Sequence, residues 1–230
     1  MINYLLRVVA SSFLLGSIPF GYLLVRVLRG VDVRQTGSGN IGATNVARTG
    51  SKGLALATLF LDALKGYVAV WISFSLNHAS MPYFSPAPIG SAADMSTVLR
   101  VLQSAYIAAS LAALCAILGH MFTPWLRFRG GKGVATAVGA FLAIAPHAVL
   151  ISLVLFIVVV AATRYVSLGS MLGTAVFPFA AWWLNPLTRT TQTMVLIVTS
   201  CLLIGVRHKD NIQRLLAGKE NRLGAERKPA

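Results

Sequence analysis

Residues 147–163 read HAVLISLVLFIVVVAAT, a run bounded by Pro146 and Arg164 that contains no Lys, Arg, Asp or Glu. A helix rises 1.5 Å per residue, so roughly 20 apolar residues cross the hydrocarbon layer of a bilayer. This stretch comes close to that length and has no polar face to offer water. Four further segments have the same character: Tyr4 to Val25, Leu54 to Leu76, Leu99 to Gly119 and Thr193 to Val206. Two others are compromised. Val134 to Ala145 is about three turns long and ends at Pro146, and Ser170 to Leu184 contains Pro178, which removes a helix hydrogen bond. The expected fold is all-α, a polytopic integral membrane protein of about seven transmembrane helices, some short or broken. The composition, 56% hydrophobic against 11% charged, is far from that of a soluble domain.

Seven spans put the chain ends on opposite faces, and the cations say which face is which. Loop 26–53 carries Arg26, Arg29, Arg34, Arg48 and Lys52, turn 119–133 carries Arg127, Arg129 and Lys132, and Arg164 opens segment 164–170. The segment from Arg207, spanning 207–224 and beyond, adds seven more. The opposite face holds Arg7, Arg100 and Arg189 near span ends, and the Ser/Pro/Ala-rich connector from Asn77 to Val98 has none. By the positive-inside rule the N-terminus is expected outside and the C-terminus in the cytoplasm, with one membrane domain over 1–230. The first span runs straight into a basic loop without a small-residue cleavage site, as a transmembrane helix does rather than a cleaved signal.

Twenty Lys and Arg against six Asp and Glu give a formal charge of +14, so charged partners should be anionic. Phosphate and membrane lipid fit; no nucleic acid is expected, because no soluble recognition helix or aromatic-bearing sheet accompanies the charge. Cys115 and Cys201 lie in separate apolar runs without metal spacing and are read as packing residues. No metal, no cofactor and no obligate protein partner are expected, and no internal repeat is evident.

Three polar constellations fall in the basic loops. In the first, Gly37, Gly39 and Gly42 allow close backbone approach, Ser38, Asn40, Thr44 and Asn45 supply hydrogen-bonding groups, and Arg48 can chelate a phosphate. In the second, Gly119-His120 precedes Gly130-Gly131-Lys132-Gly133, a glycine turn opening a helix beside a full positive charge. No Ser or Thr follows Lys132, so this is not a nucleotide-binding P-loop. In the third, His208, Asn211 and Leu215 share one face if Arg207 to Glu220 is helical. The bland alternatives are a flexible polar loop, a lysine that only orients its loop, and an amphipathic tail on anionic lipid. Ser167 and Ser170 face the same side and either complete a site or cap a helix. Asp62 and Lys65, three apart in the second span, either pair structurally or serve function. Two functions stay open at this point: an enzyme on phosphate-bearing substrates, or a transporter with broken spans. Polar groups on a single face and the lack of an inverted repeat weigh against transport.

Together these loops closely resemble those of the bacterial PlsY family, the membrane acyl-phosphate:glycerol-3-phosphate acyltransferases. The likeness covers Gly16-Ser17-Ile18-Pro19, Gly37-Ser38-Gly39-Asn40 through Arg48, Gly119-His120 with Gly130-Gly131-Lys132-Gly133, Arg164 to Ser170, and Arg207-His208 through Asn211 to Glu220. It implies transfer of a fatty acyl group from acyl phosphate to the 1-hydroxyl of glycerol 3-phosphate, giving lysophosphatidic acid and inorganic phosphate, the first acylation of phospholipid synthesis at the bacterial inner membrane. His208, Asn211, Ser38, Arg48 and Lys132 are the expected catalytic residues. Asn40, Thr44, Asn45, His120, Gly130, Gly131, Gly133, Ser167 and Ser170 are expected to bind substrate. Trp125 stands five positions after His120, where acyltransferases of the HxxxxD type have Asp, so that mechanism is not expected here. His208 orients or deprotonates the attacking hydroxyl, with His120 as the competing base.

Overall fold

The computed structural model describes residues 2–79 and 92–224, so most of the connector expected between Asn77 and Val98 lies outside the described residues. Helix α1 (Ile2–Ser17) is followed across Ile18-Pro19 by α2 (Phe20–Arg29), then by a single turn, α3 (Ala43–Ala47). The long helices α4 (Lys52–Ala79) and α5 (Ala92–Met121) precede the short α6 (Val134–Ile144). α7 (Pro146–Thr163), α8 (Val166–Leu184), α9 (Thr191–Val206) and α10 (Lys209–Leu216) complete the chain.

All seven expected segments are helical. Five stretches among the described residues are long and apolar enough to cross a membrane: Asn3–Arg29, Lys52–Leu76, Met95–Leu126, Pro146–Thr163 and Val166–Leu184. A sixth is counted when α9 and α10, bent by 52° at their junction, are taken together. Pro178 does not divide α8, which starts earlier than Ser170 and runs 19 residues. α6 is different: 11 residues reach about 16 Å, half of the hydrocarbon thickness, before Pro146 starts α7.

Cross-links show which ends of the helices lie together. At one face Tyr4 donates to the Ser73 carbonyl (3.3 Å) and Asn185 to the Ile144 carbonyl (2.8 Å). At the other, Lys132 meets Asn211, and the Leu223 amide donates to the Arg164 carbonyl (2.7 Å). The glycine turn, segment 164–170 and the C-terminal segment therefore share one face.

Between apolar helices in lipid, close packing rather than exclusion of water supplies cohesion, which favours small residues at the contacts. α4 and α6 follow this rule: a methyl at Gly139 would fall 1.8 Å from the Ala63 carbonyl oxygen. The central core joins Val8, Val70, Ile117, Phe141, Ile144 and Ile197. A second cluster, Val25, Val33, Ile41, Val46 and Leu126, seats the first polar loop on α2. Leu150, Ile157 and Val158 of α7 remain exposed, as side chains facing lipid should.

Candidate active site

The first loop is shaped by one side chain. Asn45, 2% exposed, accepts from the Ser38 amide (2.9 Å) and donates to the carbonyls of Val33 (2.9 Å), Thr36 (3.0 Å) and Asn40 (2.7 Å). Its hydrogen-bonding capacity is thereby committed to the backbone, so it builds the loop rather than facing a ligand. Asn40 likewise accepts from the Gly42 amide (2.9 Å). The folded loop leaves Ser38, Thr44 and Arg48 exposed, with Arg48 lying across Gly37, where a methyl would come within 2.9 Å of its Cδ.

The glycine turn works differently from the expectation of amides aimed at an anion. The Gly130 amide donates to the Met121 carbonyl and the Gly131 amide to the His120 carbonyl, both at 3.0 Å. Their own carbonyls accept from the Arg207 guanidinium at 3.1–3.2 Å. The turn is clamped between the end of α5 and the start of the C-terminal segment, and Gly133, at φ 85°, enters α6 where a side chain would strike Met121.

This clamp delivers Lys132 to Asn211. The Lys132 ammonium donates to Asn211 Oδ1, and Asn211 Nδ2 donates to Glu220 Oε1 (2.7 Å). Glu220 also accepts from Ser167 (2.9 Å) and Arg214 (2.8 Å). Burial alone would raise the Glu220 carboxyl, but the bonds from Asn211, Arg214 and Ser167 outweigh it and hold the group below its ordinary range. Burial brings Lys132 down to about 8; Glu220 opposes that shift, while the charges of Arg214 and Arg48 reinforce it. Asn211 is its one hydrogen-bond partner among the described residues, which leaves two N–H donors for a ligand.

His208 caps α10, 2% exposed, and its Nδ1–H donates to the Ile204 carbonyl (2.8 Å). That bond fixes the tautomer and leaves Nε2 with a free lone pair. Burial pushes the imidazole down to about 4, against the favourable Ile204 bond and with the help of nearby Lys132, so it is neutral around pH 7. His120 lies elsewhere, buried in the bundle: its Nδ1 is 3.0 Å from Lys65 Nζ, and Gly131 covers Nε2 so closely that a methyl there would be 2.0 Å away.

Beside this polar group an apolar cleft of about 250 Å³ opens between α4, α6, α7, α8 and α9, lined by Val134, Phe141, Phe156, Ser170, Phe177 and Ile204 among others. Ser170 donates to the Val166 carbonyl (2.9 Å) and so turns little polarity toward the cleft.

A fold that pairs a phosphate-suited loop cluster with an apolar cleft has known counterparts. The family model described as glycerol-3-phosphate acyltransferase matches residues 6–218. The chain belongs to the glycerol-3-phosphate acyltransferase family. A glycerol-3-phosphate acyltransferase of Rhodopseudomonas palustris (strain BisB5) is 41% identical over 227 residues, covering 99% of this chain and 100% of the relative. Its counterpart from Geobacter sulfurreducens is 43% identical over 227 residues, covering 98% and 100%. The crystal structure of PlsY (YgiH), an integral membrane glycerol 3-phosphate acyltransferase, in its glycerol 3-phosphate form is 33% identical, with a TM-score of 0.79 and 96% of each chain covered. Its lysophosphatidic acid form matches with a TM-score of 0.77.

Within this acyltransferase fold the third and second constellations converge: Asn211, Lys132 and Ser167 lie in one network through Glu220, with His208 and Arg48 of the first loop close enough for charge coupling to Lys132. Two members were not singled out from sequence. Glu220 stands nine residues beyond Asn211 across a helix end, out of reach of helical periodicity, and Arg207 works through backbone carbonyls that no spacing rule marks.

Proposed function

We propose that this acyltransferase uses acyl phosphate as its donor, acylates the 1-hydroxyl of glycerol 3-phosphate, and releases lysophosphatidic acid and inorganic phosphate, with no cofactor. The observation that carries this reading is the Lys132 ammonium, anchored by Asn211 with donors to spare, next to a neutral His208 and at the head of an apolar cleft. Val134 and Ile204 of the cleft lie two residues after Lys132 and at the carbonyl that holds His208. An acyl chain in the cleft would therefore put its mixed anhydride among the cations. Lys132 and Arg48 bind phosphate, with Ser38 and Thr44 as hydroxyl donors to the same groups. The loops face the cytoplasm in this reading, in a multi-pass protein of the bacterial inner membrane, with the reaction's lipid product released into the surrounding bilayer.

In the transfer, the glycerol oxygen attacks the acyl carbonyl carbon, the bond from that carbon to the phosphate oxygen breaks, and the phosphate leaves with the electron pair. An imidazole at about 4 is a weak base, so Nε2 of His208 orients the hydroxyl rather than keeping its proton. The phosphate oxygen that leaves with the electron pair is the better acceptor, and it takes the hydroxyl's proton. Proximity and charge neutralisation then supply the rate, since a mixed anhydride is already activated.

Phosphate release from purified, detergent-solubilised protein tests this directly. Release should require acyl phosphate and glycerol 3-phosphate together, and acyl thioesters should not replace the donor. Thioester-driven acylation with no use of acyl phosphate would overturn the donor assignment and leave the family membership intact.

A further inference from the structure

We infer that Asp62, Lys65 and His120 form a positioning node that sets the two substrate loops, residues 36–48 and 130–133, in register with each other. The proposal rests on reading those loops as the substrate site. The node lies inside the bundle, where Lys65 and Asp62 side chains are 1% and 3% exposed. Three groups surround the Lys65 ammonium: Asp62 Oδ1 as its ion-pair partner at 2.8 Å, His120 Nδ1 at 3.0 Å and the Ile18 carbonyl, which accepts at 2.7 Å. These groups sit on three separate elements, α4, α5 and the α1–α2 break.

Each attachment leads to a loop. Ile18 precedes Pro19, and the same break is tied to the end of α5 by Thr123, which donates to the Ser17 carbonyl (2.6 Å), and by Trp125, which donates to the Ser17 hydroxyl (2.9 Å). From the break, α2 carries Gly21 against the Ile41 carbonyl so closely that a methyl would be 1.9 Å away, which seats the first loop. On the other side, the His120 ring fills the space that Gly131 leaves by lacking a side chain, and its carbonyl holds the Gly131 amide. Lys132 is the next residue. One ammonium thus joins the parts that carry Arg48 and Lys132, the two cations meant for the same phosphate groups.

A buried ion pair adds little net stability compared with apolar side chains of like volume, so cohesion alone does not account for these charges. What Lys65 contributes is direction: three fixed partners, and a His120 whose Nδ1 is occupied and which therefore positions rather than abstracts protons. A misplacement of about 1 Å between groups that hold one substrate is enough to lower turnover roughly a hundredfold.

The test compares His120→Gln with His120→Leu, and adds the paired Asp62→Leu/Lys65→Met variant, in purified full-length protein. Turnover and thermal unfolding are measured together, with the wild type's own acyl donor as reference, so failure of the acyl phosphate assignment leaves this test standing. His120→Gln keeps an acceptor for Lys65 and should stay within about tenfold of wild-type kcat, whereas His120→Leu should fall roughly a hundredfold at an equal folded fraction. The paired variant, which leaves no unpaired charge, should unfold near the wild-type temperature yet show a similar loss, in kcat more than in KM. Equal, severe loss in folded Gln and Leu variants would instead make His120 a substrate-contacting residue and overturn the proposal. So would wild-type turnover in His120→Leu or in the paired variant.

Discussion

Two lysines in this chain, Lys65 buried and Lys132 half-buried, have opposite surroundings. Lys65 is enclosed by the Asp62 carboxylate, His120 Nδ1 and the Ile18 carbonyl, all within 3.0 Å of its ammonium, whereas Lys132 bonds Asn211 and keeps two donors open at the loop face. The contrast teaches that a cation in an apolar sequence marks a ligand site only when its hydrogen-bonding valence is left unfilled. Exchanging the two roles by mutation gives the sharpest break. Lys132→Ala should lower acyl transfer by about two to three orders of magnitude, the scale of losing one preorganised charge stabiliser, with little change in the unfolding temperature. Lys65→Met should do the reverse first: it strands the Asp62 carboxylate in the bundle, at about 3–5 kcal/mol, and the yield of folded protein in detergent should drop. If Lys132→Ala instead unfolds the protein and Lys65→Met leaves it intact, the distinction between a filled and an open lysine fails.

Arg207 tests the same contrast at its edge, because its guanidinium braces the turn that aims Lys132 without meeting Lys132 itself. A lysine there cannot reach the Gly130 and Gly131 carbonyls with a fork. Arg207→Lys should therefore lower kcat/KM roughly tenfold, the equivalent of one charge-assisted hydrogen bond of about 1.5 kcal/mol. An unchanged rate would mean that the turn holds its shape through the Met121 and His120 carbonyls alone.

The membrane-spanning helices were legible in the sequence because apolar length is a local property, and the charge-free run ending at Arg164 needed no tertiary information. α6 was readable as a half-span or a tilted helix from its length alone, but how an 11-residue helix is held shows only in its seating on α4 through Gly139 and Gly66. The candidate site was legible where motif and contact coincide, at Lys132 and Asn211. It was not legible where the partner is distant or is backbone. Asp62 and Lys65 pair three residues apart, but their third member, His120, comes from 55 residues away, and Asn45 reads as a ligand group until its four backbone bonds are seen. Gly130 and Gly131 read as an anion cradle for the same reason: sequence spacing cannot tell an open amide from one bonded to α5.

The mildest test alters the charge of Lys132 without touching it. With Lys132 near 8 in the free protein, the ammonium is present below that pH and is lost as pH rises through it, so phosphate binding and kcat/KM should decline on an alkaline limb near pH 8. Lys132→Arg keeps its charge far higher, and whatever rate it retains should lack that limb. Glu220 favours the charged lysine, so Glu220→Gln removes part of what opposes burial while Gln can still accept from Asn211. The limb should then move to lower pH, with modest change in the rate at pH 6.5. A limb that stays in place in Glu220→Gln and persists in Lys132→Arg would belong to another group, and Lys132 would then be no more open to the reaction than Lys65.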